Sequence, residues 1–349
     1  MVGAMAAALW GIGIAMGAPK QARWTMQAIL LIAVIIVNVV LPDGHALRMA
    51  TGGDARLWAV IVAFGFIVWG YRKFLTNLRN RVAKNEEPIV QSGRFSETEL
   101  DRYARHIILR EVGGPGQKAM RDAKVLVIGA GGLGAPALQY LAAAGVGTIG
   151  VIDDDAVENA NLQRQVIHLD ARIGMPKVHS AAEAMMAQNP FVTVRPYHRR
   201  LTEDIAQELF DEYDLVLDGT DNFDTRYLVN RTAVAQGKPL IAAALTQWEG
   251  QISIYDPAHG TPCYACVFPT APDAALVPSC AEAGVIGPLP GVIGAMMAVE
   301  ALKQITQAGD GLGGRLLIYD ALYAQTRTIA IKPRTDCTVC AGKGLQAKG

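Results

Sequence analysis

The run Lys124-Val125-Leu126-Val127-Ile128-Gly129-Ala130-Gly131-Gly132-Leu133-Gly134 decides the fold. After the lysine, its first residues are apolar and mostly β-branched, as in a buried strand. The glycine turn follows at once. Pro136 to Ala144, rich in Ala and Leu, then predicts a helix stopped by Gly145. Thr148 to Ile152 predicts a second strand, which ends in Asp153-Asp154-Asp155. Strand, glycine turn, helix, strand and acid at this spacing make a βαβ unit. Gly129, Gly131 and Gly134 let the backbone turn tightly and approach phosphates, and Gly132 adds room. The next helix offers its free N–H groups and positive dipole end to an anion. Asp153 stands where a carboxylate accepts hydrogen bonds from ribose hydroxyls. The pattern says nucleotide without choosing one: an NAD-dependent oxidoreductase would carry the same loop, and a glycine turn without a ligand is the bland reading.

Upstream, Phe95-Ser96-Glu97-Thr98-Glu99-Leu100 has the form of a helix start, with Ser96 and Glu99 spaced as a capping box. That helix carries Arg102, Tyr103, Arg105 and His106, and Gly113-Gly114-Pro115-Gly116 is expected to break the chain. Downstream, helices are predicted at Lys177 to Gln188, Ile205 to Phe210 and Thr225 to Gln236. Strands are predicted at Val192 to Pro196, Asp214 to Asp218 and Pro239 to Ala243. Ile252 to Tyr255 and Arg315 to Tyr319 read as later, antiparallel strands, and Gly284 to Leu302 as a turn and an apolar core helix. This alternation predicts an α/β, Rossmann-like fold around a mainly parallel sheet.

Three polar runs narrow the chemistry. Asp153 to Gln165 includes Asp155, Asn161 and Arg164; Gly174-Met175-Pro176-Lys177 supplies a lysine; Gly219 to Arg226 contains Asp221 and Asn222. Together they offer an arginine, a lysine and an amide to hold a triphosphate, and an acid to hold Mg²⁺. Arginine forks onto phosphate oxygens and lysine supplies a point charge. Each alone could be a solvated surface charge. The argument rests on their combination at strand ends, where α/β folds bind ligands.

Arg102-Tyr103-Ala104-Arg105-His106-Ile107-Ile108-Leu109, the glycine loop, Asn161-Leu162-Gln163-Arg164-Gln165, Lys177 and Thr220-Asp221-Asn222 occur here in order. In this string the chain from about Phe95 to Gly344 resembles the MoeB/ThiF/HesA family, relatives of the ubiquitin-activating enzymes. The resemblance implies ATP-dependent adenylation of the C-terminal glycine carboxylate of a small ubiquitin-like sulfur-carrier protein, with release of pyrophosphate. It places Gly132 and its neighbours against ATP, Asp153 on the ribose, and Asn161, Arg164 and Lys177 on the phosphates. It gives Mg²⁺ to Asp221, with Asn222 beside it. Arg105 would reach the ATP site of the other subunit, so a homodimer is expected. Carriers of the molybdopterin, thiamine and tRNA-thiolation types all remain open, with the Asn161 to Gln165 run leaning to the first, and a separate sulfur donor is expected.

Cys263-x-x-Cys266 and Cys337-x-x-Cys340 are spaced as a four-thiolate zinc site, which is structural because no position is left for water. Two redox pairs or unrelated thiols are the alternatives. Cys280 is left over, and the odd number argues against a secreted disulfide framework. In some relatives a cysteine near this place links covalently to the carrier; a bystander thiol is the plain reading. His106, His168 and His179 read as packing or surface residues, since no histidine pair has metal spacing.

Across 349 residues, 32 basic side chains balance 32 acidic ones, so nothing supports nucleic-acid binding. Charge is unevenly spread: up to Tyr71 it comes from Lys20, Arg23, Asp43, Arg48, Asp54 and Arg56 alone. Met26 to Leu41 and Leu57 to Tyr71 are uncharged apolar runs with Trp24, Trp58, Trp69 and Tyr71 near their ends. They predict a transmembrane hairpin, slightly short of the ~20 residues that span a bilayer in comfort. The basic flank of Arg72, Lys73, Arg79, Arg81 and Lys84 puts the soluble part on the cytoplasmic face of the cell membrane. Met1 to Ala18 could be a third span or an interfacial helix; a signal peptide or a core hairpin is the alternative. The expected organisation is a membrane segment over 1–76, a linker over 77–94 and an adenylyltransferase domain over 95–344. Two competing functions stay in view, the NAD-dependent oxidoreductase and a membrane-anchored binding platform without catalysis.

Overall fold

The structure, a computed structural model, describes residues 1–54, 56–60, 63–65, 67–68, 70–74, 95–271 and 283–341. Trp69, Arg79, Arg81, Lys84, the expected linker and Cys280 lie outside the described residues. The chain divides into two compact units, Met1–Val90 and Gln91–Gly349.

In the first unit, α1 (Val2–Ala15), α2 (Lys20–Val40) and α3 (Ala46–Ala50) are followed by an apolar helix, α4 (Arg56–Phe74). Helices α2 and α4 are long and apolar enough to cross a membrane by length and composition. Polar groups hold α1 against α2: Gln27 Nε2 donates to Ala6 O at 2.9 Å, and the Arg23 guanidinium lies 5.1 Å from the Trp10 ring centroid. At the far end of α2, the buried Asn38 Nδ2 donates to Thr51 Oγ1 at 2.8 Å.

The second unit is built on an eight-stranded sheet of order β3-β2-β1-β4-β5-β6-β7-β8. Strands β1 (Lys124–Ile128), β2 (Thr148–Ile152), β3 (Thr193–Tyr197), β4 (Leu215–Asp218) and β5 (Leu240–Leu245) run parallel. Strands β6 (Glu249–Tyr255), β7 (Arg315–Asp320) and β8 (Gln325–Ala330) continue the sheet antiparallel. Helices α7 (Gly134–Ala144), α8 (Lys177–Gln188) and a long C-terminal helix pack into one apolar layer that includes Leu138, Leu141, Val178, Met185, Ile293 and Met297. Helices α9 (Glu203–Asp211) and α10 (Phe223–Gln236) contribute to a second, with Phe210, Tyr213, Leu228 and Val229. Each fully buried leucine contributes about 1.5–3 kcal/mol relative to exposure. Sheet direction reverses its winding between β1 and β4, and α/β folds bind ligands beyond the strand ends at such a switch point.

Helix α5 (Glu97–Ile107) starts as expected: Ser96 Oγ accepts from Glu99 N, and the Glu99 carboxylate accepts from Ser96 N at 2.8 Å. The expected break at Gly113 to Gly116 is corrected: these residues open α6 (Gly113–Asp122). Gly113 takes φ +59, which ends the preceding turn. Pro115 then falls in the first helical turn, where its missing N–H costs nothing. Strand β8 had no expectation. The fold is completed by the short α11 (Tyr264–Val267) and by the long C-terminal helix, α12 (Pro288–Thr306).

Candidate functional site

Three loops meet at the carboxyl ends of the parallel strands: the glycine loop after β1, the acidic run after β2 and Gly219 to Asn222 after β4. Gly129 takes φ +92, and its ideal Cβ would lie 3.3 Å from Gly219 O. At Gly134 a Cβ would overlap the Gly129 carbonyl oxygen, so only glycine lets α7 begin this close to the loop. The Ala130 N–H donates to Asp153 Oδ2 at 2.7 Å, and Gly129 N donates to Ile152 O at 2.9 Å. Among the described residues the Gly131 and Gly132 N–H groups have no hydrogen-bond partner. Pro290, at the start of α12, and the Arg164 side chain flank Gly132.

Asp153 also accepts from Asp155 N at 2.8 Å. Burial pushes its carboxyl up, opposed by the two N–H groups and by Lys177. Lys177 is the first residue of α8; its side chain is 7% exposed and its Nζ lies 2.7 Å from Asp155 Oδ2. Asp155 is mostly exposed, so the nearly buried Lys177 ammonium is paired with a carboxylate that reaches solvent. The Asn161 Oδ1 and Gln165 Oε1 atoms are buried without a hydrogen-bond partner among the described residues. Gln165 Nε2 is placed beside Gly131. Arg164 is partly buried and donates from Nη1 to Ala160 O at 3.1 Å. Unpaired buried amide oxygens carry a cost that a bound donor would remove.

After β4 the chain turns on Asp218, which is buried and accepts from Thr220 N at 2.9 Å and from Thr220 Oγ1 at 2.7 Å. The buried Arg226 donates to Thr220 O and, at 2.7 Å, to Ala243 O. These bonds leave Asp221 exposed at the head of α10. Asn222 caps that helix: its Oδ1 accepts from Thr225 N at 2.9 Å. Arg105 is exposed on α5 and takes no part in this set of contacts. Among the described residues the gathered acids are Asp153, Asp154 and Asp155, without Asp221. The sequence singles out Asp221, Lys177 and Arg164, includes Gln165 and Arg226 in its polar runs without a role, reads His168 as a packing or surface residue, and gives Asp218 only as a strand end. The signal for Arg226 and Asp218 lay in the run they bracket. His168 is buried, with Nε2 3.0 Å from Ala130 O and Nδ1 2.9 Å from Ser180 Oγ.

Away from these loops the four paired cysteines converge. Cys263 Sγ lies 3.8 Å from Cys266 Sγ and 3.6 Å from Cys337 Sγ, and Cys266 Sγ lies 3.3 Å from Cys340 Sγ. All four are buried, free and mutually within 4.8 Å. Four sulfurs about 2.3 Å from a tetrahedral ion stand about 3.8 Å apart, so the set fits a zinc-sized cation. Burial pushes the Cys263 thiol up, whereas Cys337, against its own burial, lies below the ordinary thiol value, lowered by backbone N–H groups and the neighbouring thiols. Asn230 Nδ2 and the Arg334 N–H point at Cys263 and Cys266 sulfurs, as outer hydrogen bonds to a thiolate do.

The ThiF family model matches residues 103–339. Over 257 residues the chain is 49% identical to the sulfur carrier protein adenylyltransferase of Thermus thermophilus, covering 72% of this chain and 95% of that protein. It is 47% identical over 250 residues to the SAMP-activating enzyme E1 of Haloferax volcanii, covering 72% and 92%. It is 49% identical over 249 residues to the probable adenylyltransferase/sulfurtransferase MoeZ of Mycobacterium tuberculosis, covering 70% of this chain and 64% of that protein. Among solved structures, Escherichia coli MccB with ATP shares the fold at TM-score 0.60 and 24% identity, over 69% of this chain and 74% of that one.

Proposed function

The chain belongs to the ThiF family, and from that premise we propose that it adenylates the C-terminal glycine carboxylate of a small ubiquitin-like sulfur-carrier protein at the expense of ATP. The reading is carried by one observation: the Gly131 and Gly132 N–H groups, unpartnered among the described residues, lie on a loop flanked by Arg164 and tied to Asp153, which in turn feels the Lys177 charge. A hydride-transfer enzyme has no use for such a triphosphate clamp, and only the glycine loop and Asp153 speak for NAD.

The carrier carboxylate is already ionised at neutral pH, so it attacks the α-phosphorus without a side-chain base. The bond from α-phosphorus to the bridging oxygen breaks, and pyrophosphate leaves with the electron pair. The loop N–H groups, Asn161, Arg164 and Lys177 hold the phosphates and balance the charge that builds on them. Lys177 would exchange Asp155 for phosphate oxygen. Asp221 would hold Mg²⁺, an ion that keeps few protein ligands, and the ion would supply positive charge to offset that of the leaving pyrophosphate. Asn222 acts through the backbone, fixing the turn that presents Asp221. Arg105 would complete the site of a second subunit in a homodimer.

Cys263, Cys266, Cys337 and Cys340 would hold a structural zinc ion, tying the tail to α11. The first unit would anchor the enzyme in the cell membrane with the site on the cytoplasmic face. The carrier is open among the molybdopterin, thiamine and tRNA-thiolation types, and the Asn161 to Gln165 run favours the first. Mixing the full chain with Mg²⁺, ATP and one carrier of each type, then reading intact masses, tests the reading. The carrier acyl-adenylate is expected with at least one; ATP left uncleaved with all three would overturn it.

A further inference from the structure

His168 reads in the sequence as a packing residue, yet it touches the phosphate loop itself. Its Nε2 lies 3.0 Å from Ala130 O, and a carbonyl oxygen has no proton to give, so Nε2 carries the hydrogen and donates. Its Nδ1 lies 2.9 Å from Ser180 Oγ, on the same helix as Lys177. Burial first, and then Lys177 and Arg172, oppose a positive ring, so Nδ1 is bare and accepts the Ser180 hydroxyl.

The other side of Ala130 is fixed as well, its N–H donating to Asp153. In a trans peptide the C=O and the following N–H point in opposite directions. Holding the Ala130 carbonyl on His168 therefore turns the Gly131 N–H the opposite way, where it has no protein partner among the described residues. Ala130 is fully buried, so without His168 its carbonyl would be an orphan acceptor, free to rotate toward the phosphates and repel them.

We propose that His168 is a positioning residue: it locks the Ala130–Gly131 peptide so that the Gly131 N–H faces the phosphates of the nucleotide, with Ser180 selecting the tautomer. This rests on the ATP reading above.

The test uses the full-length chain and its His168→Phe, His168→Gln and Ser180→Ala variants. Binding of labelled ATP and labelled adenosine is measured by equilibrium dialysis, and the tautomer of wild-type His168 by ¹⁵N NMR. Losing one N–H to an ionised phosphate predicts ATP binding weakened about tenfold in His168→Phe, with adenosine binding unchanged. His168→Gln, whose amide can donate to the same carbonyl, recovers most of the loss. Ser180→Ala falls between wild type and His168→Phe. The wild-type ring shows a protonated Nε2 and a bare Nδ1. Wild-type ATP affinity in His168→Phe, equal loss of ATP and adenosine, or an Nδ1-protonated ring overturns the inference. Should His168→Phe not fold, His168→Gln and the tautomer decide. A wild-type chain that binds no ATP defeats the functional reading instead, and the tautomer still judges the peptide geometry.

Discussion

At the scale of residues, the site depends on atoms that are missing as much as on those present. Gly134→Ala puts a methyl group onto the Gly129 carbonyl, and neither backbone segment can yield without opening the loop. ATP binding should drop more than tenfold in that variant while the far side of the sheet keeps its packing; isothermal titration and circular dichroism read the two. Asn222→Ala removes a helix cap worth about 1 kcal/mol, or about 2–4 °C in Tm for a unit of this size. Burial, ahead of the nearby cations, holds His168 below the ordinary imidazole value against the pull of the Ala130 carbonyl. The unfolded chain therefore takes up this proton first as pH falls. The contribution of His168 to stability is full above the unfolded value of about 6.5 and declines below it. His168→Gln should lose less Tm than wild type on acidification from about pH 7 to about pH 5.5; equal losses would contradict a neutral buried ring.

At the scale of elements, the cysteine cluster joins two segments far apart in sequence, α11 and the stretch around Cys337. Cys337→Ser should abolish the proposed zinc binding and lower Tm by several degrees, because a structural zinc ion contributes folding free energy directly; metal analysis and calorimetry give the answer. Most elements were legible in the sequence because β-branched runs and 3.6-residue periodicity survive in buried strands and amphipathic helices. Boundaries differ from expectation where a helix opens on glycine. Gly134 begins α7 two residues ahead of Pro136, and Gly113 to Gly116 opens a helix, because a proline in the first turn removes no bond. Strand β8 is not legible in the sequence because all six of its residues are exposed, so it carries no apolar alternation. The chemistry-bearing side chains were legible because they cluster at strand ends. Asp218, Arg226 and His168 were not, because buried polar residues that hold a backbone turn have no spacing rule. The run from Asp218 to Arg226 marks two of them as its ends, and the hydrogen bonds show what each holds.

At the scale of the whole molecule, the proposed homodimer has a sharp consequence. If Arg105 serves the partner's site and Asp221 its own, Arg105→Ala and Asp221→Ala are each inactive alone. Mixed subunits should regain about a quarter of wild-type activity, since half the dimers form with one complete site each. No recovery would place Arg105 elsewhere. The apolar helices α2 and α4 carry the membrane proposal: the chain should sediment with membranes, resist alkaline carbonate and dissolve in detergent. Exchange of labelled pyrophosphate into ATP by the detergent-solubilised chain reads carboxylate adenylation itself. Exchange should require Mg²⁺ and a small ubiquitin-like carrier ending in Gly-Gly, vanish when that tail is removed, and fall about 10²–10³-fold in Asp221→Ala. Exchange that ignores the carrier tail, or persists at the wild-type rate in Asp221→Ala, would contradict it.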